Sequence, residues 1–109
     1  MQKETIESVT QWADETFGKA SVQTMLHRMA EEMHELEDAW ETLYHAATDD
    51  SVRIAENHIA NEAADVCICL YRILGQLNPD AIDVKMSINR QRKWKSNGDG
   101  TGQHIKGGT

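Results

Sequence analysis

Residues 21–45 read SVQTMLHRMAEEMHELEDAWETLYH, and their spacing decides the fold. Val22, Met25, Met29, Met33, Leu36, Trp40 and Leu43 recur at intervals of three and four, the stripe of a helix with one buried face. Ser21 stands where an N-cap belongs. The same stretch is unusually acidic, with Glu31, Glu32, Glu35, Glu37 and Asp38 in close succession. With Glu32 as origin and about 100° per residue, Met25, Met29, Leu36 and Leu43 lie between about 20° and 60°. Glu32 falls beside that stripe on its buried side, and Glu35 sits at its margin. Asp38 points away and Glu37 occupies the other flank.

A second long helix is expected from Ser51 to Leu77, after the turn ATDDS. Its stripe is Ile59, Ala63, Val66, Leu70, Ile73 and Leu77. With Glu62 as origin, Ile59, Val66, Ile73 and Leu77 again lie between about 20° and 60°, and Asp65 takes the place that Glu35 held. The midpoint between 32/35 and 62/65 falls at Thr48–Asp49, inside the turn. An antiparallel hairpin therefore brings the two acidic pairs level. Four carboxylates at an apolar margin need protons or a cation. An all-oxygen set favours magnesium, manganese or calcium over zinc or copper. The alternative is a solvated acidic face.

The remaining elements are also helical. A short helix is expected from Thr5 to Glu15, ending before Gly18. Asn78 and Pro79, the sole proline, restart a helix that continues to about Lys95. On it Lys85, Asn89 and Arg92 are spaced i, i+4, i+7 and fall within about 60° of one another. They form either a phosphate-facing set or cations favoured at a helix C-terminus. Trp12 and Phe17 are either a stacking wall for a base or core filling. The segment GDGTGQHIK, with His104 and Lys106, either closes over phosphates through backbone N–H groups or is a loose tail. The reading is all-α: a helical domain at 1–97 and a glycine-rich tail at 98–109.

Composition narrows the function classes. The 109 residues suit one domain, and a net charge of −7 disfavours a nucleic-acid partner. The longest apolar run, VCICLY, is too short to span a membrane, and MQKETIES has no apolar segment of a signal peptide. Cys67 and Cys69 point about 200° apart on one helix and cannot pair with each other, so reduced, mostly buried thiols and a cytoplasmic location are expected. His27, His45 and His58 show no partner pattern. The stripes look too wide for one chain, so a homo-oligomer, dimer or tetramer, is expected to complete the bundle.

The ordered set of motifs resembles the MazG-like family of all-α nucleoside triphosphate pyrophosphohydrolases. That family carries E-E-x-x-E on one helix and E-x-x-D on the next. Here they read EEMHE (Glu31 to Glu35) and EAAD (Glu62 to Asp65), separated by 26 residues. KMSINRQRKW (Lys85 to Trp94) is similar to the family's K-M-x-x-N-x-x-R-x-W segment. QWADETFG and DGTGQHIK look like the ends of a branch described as dATP/dGTP pyrophosphohydrolases, the phage MazZ-like enzymes among them. The resemblance implies a MazG-like bundle and Mg²⁺-dependent hydrolysis (Mn²⁺ a substitute) of a triphosphate such as dGTP or dATP at the α-phosphorus, releasing pyrophosphate. It implies metal ligation by Glu32, Glu35, Glu62 and Asp65. Glu31 would hold a further ion or orient the attacking water. Lys85, Asn89 and Arg92 would meet the β- and γ-phosphates. Two other readings compete. A ferritin-like di-iron protein would use Glu31 and His34 as E-x-x-H, but the second helix offers Asp65 where a histidine is needed. A non-catalytic helical interaction module would not need Lys85, Asn89 and Arg92 in phase.

Overall fold

A computed structural model describes residues 1–106. The chain forms α1 (Ile6–Phe17), α2 (Val22–Tyr44), α3 (Asp49–Leu77), α4 (Ala81–Gln91), β1 (Trp94–Ser96) and β2 (Gly102–His104). It divides into two compact units at Leu77–Asn78.

The N-terminal unit holds the three longest helices, and each starts on a hydroxyl side chain. Thr5 caps α1 in a reciprocal box with Ser8, each side chain accepting from the other's backbone N–H. Ser21 caps α2 by accepting from the Thr24 N–H at 3.1 Å. Helix α3 begins at Asp49, two residues earlier than the spacing predicts. Thr48 and Ser51 exchange the same reciprocal bonds there, at 3.0 and 3.1 Å, so the start is set by Thr48. Asp49 and Asp50 then occupy the first turn, where the helix dipole favours negative charge.

Helices α2 and α3 pack on each other along the unit, and α1 packs on α3. Low-numbered residues of α2 (Met25, Arg28) share walls with high-numbered residues of α3 (Cys69, Arg72), while Glu35 meets Glu62, so the hairpin is antiparallel. The approach of α1 to α3 depends on Gly75. A Cβ there would overlap the Thr10 side chain, with Thr10 Cβ only 2.7 Å away. The Thr10 hydroxyl donates to the Tyr71 carbonyl at 3.2 Å.

The buried apolar residues are small or slender: Ala13, Met25, Ala39, Ala55, Val66 and Cys69. The stripes are only partly covered. Met33, Trp40, Leu70 and Leu77 all remain exposed, Trp40 at 57%. Cys67 is exposed as well, contrary to the expectation of two mostly buried thiols, because it points away from the α2-facing side that buries Cys69.

The C-terminal unit departs further from the sequence reading. Asn78 does accept a backbone bond, from the Asp80 N–H at 3.1 Å, but α4 starts only at Ala81. It ends at Gln91, four residues short of Lys95. Arg92 is already extended, with φ −82° and ψ 156°. The indole N–H of Trp94 donates to the Asn89 carbonyl at 2.7 Å, and that carbonyl also accepts from the Arg92 N–H at 3.3 Å, so one acceptor serves both donors at the helix end. The chain then forms an antiparallel hairpin pairing Trp94 with His104, Lys95 with Gln103 and Ser96 with Gly102. The chain is mostly helical, as expected, and among the described residues it carries one short two-stranded sheet. In the glycine-rich segment, expected either to close over phosphates or to be a loose tail, the glycines build a turn: Gly98 and Gly100 take φ of 87° and 92°. Asp99 accepts from both the N–H and the hydroxyl of Thr101, which holds its carboxyl below the usual range. Residues 107–109 of the expected tail lie outside the described residues.

Candidate metal centre and adjoining cavity

Glu32, Glu35 and Glu62 each present a carboxylate oxygen, and the three oxygens lie within 4.8 Å of one another. Glu32 and Glu35 come from successive turns of α2, and Glu62 comes from α3 at the same height. Glu32 is buried, at 5% exposure, Glu62 is largely buried and Glu35 is open to solvent. Glu32 Oε2 and Glu62 Oε2 are enclosed and accept no hydrogen bond. Burial raises the Glu32 carboxyl above its ordinary value; the neighbouring Glu35 carboxylate adds to this, and Arg28 opposes it. Burial, and then Glu35, raises Glu62 in the same way. Such a group can relax only by taking up protons or a cation.

The donor chemistry fits a hard divalent cation. Every donor is a carboxylate oxygen, and Glu32 and Glu62 each keep an enclosed oxygen without a partner. Among the described residues no histidine belongs to the trio, although His58 Nδ1 stands 3.9 Å from Glu62 Oε1. Asp65, expected as the fourth ligand, is exposed and outside the trio. Its charge acts on both Glu32 and Glu62, so it stands close by on the cavity side. Glu31 points outward, with its side chain 68% exposed and 4.0 Å from the Arg28 guanidinium. His34 is exposed too.

A cavity of about 310 Å³ opens beside Glu32 and Asp65. Trp12 and Phe17 form one wall, with ring centroids 5.4 Å apart and planes at 90°. The two rings are 57% and 70% exposed, so they are not core filling within this unit. Ile68 and Cys69 line the opposite side. Burial pushes the Cys69 thiol up, so it remains an uncharged apolar surface there.

Two arginines that the sequence reading passed over belong to this region. Arg28 Nη2 lies 3.0 Å from Glu32 Oε1, one turn earlier on α2. Its i, i+4 spacing to Glu32 was the available signal. Arg72 is buried at 8% exposure and also lines the cavity. A lone cation inside the apolar run VCICLYRIL was the clue to it.

The phosphate candidates lie in the C-terminal unit. Lys85 and Asn89 are on α4, but Arg92 lies past its end, so the helical phase assumed for Arg92 does not apply. Lys85 is exposed, and Asn89 Oδ1 is enclosed without a partner. His104 packs against Trp94 at 5.9 Å across the hairpin, and Lys106 is exposed. The charge of the chain is sharply partitioned. Residues 1–77 carry fifteen acidic and five basic side chains, and residues 78–109 carry three and six. Among the described residues no helix is long and apolar enough to cross a membrane. No family model, curated protein or solved structure matches the chain.

Proposed function

We propose that this chain is a magnesium-dependent nucleoside triphosphate pyrophosphohydrolase that converts a purine (deoxy)nucleoside triphosphate, such as dGTP or dATP, to monophosphate and pyrophosphate. The observation that carries the reading is the level trio Glu32, Glu35 and Glu62, with two enclosed, unpartnered oxygens. The order of the motifs EEMHE, EAAD and KMSINRQRKW supports it, through the resemblance to MazG-like enzymes.

Glu32, Glu35 and Glu62 would hold the ion, with Asp65 beside them. When bound, magnesium supplies charge neutralisation on the phosphate oxygens, without which an acidic protein repels a triphosphate. Glu31, outside the trio and open to water, is the carboxylate free to orient the attacking water and accept its proton. The water oxygen bonds to the α-phosphorus, the bridging bond to the β-phosphate breaks, and pyrophosphate leaves. Trp12 and Phe17 offer faces and edges to a planar base, and Arg28 supplies a guanidinium at the cavity rim. The resemblance assigns Lys85, Asn89 and Arg92 to the β- and γ-phosphates. The exposed apolar side chains on α2 and α3 support a homo-oligomer, and a nucleotide substrate suits the cytoplasm. The test is a panel of nucleotides with Mg²⁺ or Mn²⁺, products resolved by chromatography. Monophosphate with pyrophosphate is expected; orthophosphate as first product, or full activity in excess EDTA, refutes the reading.

A further inference from the structure

Helix α1 ends without a basic residue in its last turn, so nothing on that helix complements its C-terminal carbonyls. Arg72 of α3 supplies the missing cation. Its Nη2 donates to the Gly18 carbonyl at 3.0 Å and lies 3.5 Å from Asp14 Oδ1. Gly18 itself turns the chain at φ 87°, and its N–H donates back to the Asp14 carbonyl. Residues 14 and 18, which bracket Phe17, are therefore both tied to one guanidinium.

That guanidinium is held at a cost. Arg72 is 8% exposed, and its Nε–H is enclosed without an acceptor. A cation in this position needs a strong reason to be charged and buried, and the cap on α1 provides one. The consequence reaches the cavity. Trp12 and Phe17 both sit on α1, and α1 is held to α3 at the Thr10–Gly75 contact and at Arg72. Of the two, Arg72 is the one adjoining Phe17, and it also lines the cavity that the rings wall.

We infer that Arg72 is a positioning residue that locks the Trp12–Phe17 wall in place, and so governs affinity for the planar ring of a ligand and not for its phosphates. The second half of this statement rests on the nucleotide reading; the first half does not.

The experiment uses the full chain with Trp40→Phe and Trp94→Phe, leaving Trp12 as the sole tryptophan, and compares it with the same chain carrying Arg72→Met or Arg72→Lys. Without ligand, acrylamide quenching of Trp12 should rise in Arg72→Met and rise less in Arg72→Lys, which keeps one donor for the Gly18 carbonyl. With Mg²⁺, a non-hydrolysable deoxyguanosine triphosphate should bind about tenfold more weakly to Arg72→Met, the scale of one aromatic contact. Inorganic tripolyphosphate should bind as before. Phe17→Leu, with Arg72 intact, should give the same split between the two ligands. If Arg72→Met does not fold, Arg72→Lys decides by the same readouts. Unchanged quenching, or equal loss of both ligands, overturns the role of Arg72. Parent protein that binds the nucleotide no more tightly than tripolyphosphate overturns the base-site reading instead, whatever the quenching shows.

Discussion

Replacing Glu32 by glutamine tests whether the acidic trio is a site held ready for a cation. In metal-free protein the Glu32 carboxyl sits above its ordinary value of 4.5, raised first by burial and then by Glu35. Below about pH 4.5 the group is protonated in folded and unfolded chains alike and costs nothing. As pH rises through the raised folded value, the unfolded chain ionises more easily, so the folded state loses stability. Metal-free wild type should therefore weaken from pH 4.5 upward, and Glu62 acts in the same direction. Two effects oppose each other in Glu32→Gln. The enclosed Oε2 has no partner, and relieving it returns about 1–3 kcal/mol. The Arg28 contact is lost, but that arginine is 60% exposed, so the loss is about 0.2–1 kcal/mol. The variant should thus be more stable than wild type by about 1–2 kcal/mol at pH 8 in EDTA, and level with it near pH 4. Urea unfolding at equal protomer concentration measures both. Added Mg²⁺ should stabilise wild type and stabilise the variant less, because a ligand raises stability only as far as it binds the folded state. A variant weaker than wild type at pH 8 in EDTA, or equally stabilised by Mg²⁺, would refute the reasoning.

Three further outcomes are expected. Glu31→Gln alters an exposed carboxylate outside the trio, so metal-free stability should stay within about 0.5 kcal/mol while turnover falls, read by unfolding and product assays together. Gly75→Ala drives a methyl into Thr10; overpacking of about 1–3 kcal/mol outweighs the ~1 kcal/mol gain in helix propensity, so melting temperature should fall, and adding Thr10→Ala should restore it. Arg92→Ala should leave Mg²⁺-induced stabilisation intact but weaken triphosphate binding by about 1.5–3 kcal/mol, with monophosphate binding changed less, in paired titrations.

Much of the N-terminal unit was legible because its signals are local. Caps and stripe spacing placed α1, α2 and α3 to within two residues, since a helix repeats its own geometry and a hydroxyl one residue ahead of it satisfies its free N–H groups. The same arithmetic, with the turn at the midpoint, put Glu32, Glu35 and Glu62 level. It could not exclude Asp65 from the trio, because helical phase gives a direction and not the reach of a side chain. Nor could it find the end of α4. Propensity alone carries the helix to Lys95, and what stops it is the pairing of Trp94 with His104, ten residues away in the chain. The role of Arg72 was equally hidden: its partners, Asp14 on α1 and Gly18 just past its end, lie more than fifty residues earlier in the chain. Sequence by itself determined where helices begin, which faces they bury and which acids share a height. Only the tertiary structure decided which carboxylates converge, which cation caps α1 and where the last helix gives way to strand. Those outcomes depend on contacts between segments remote in sequence, and no local period records them.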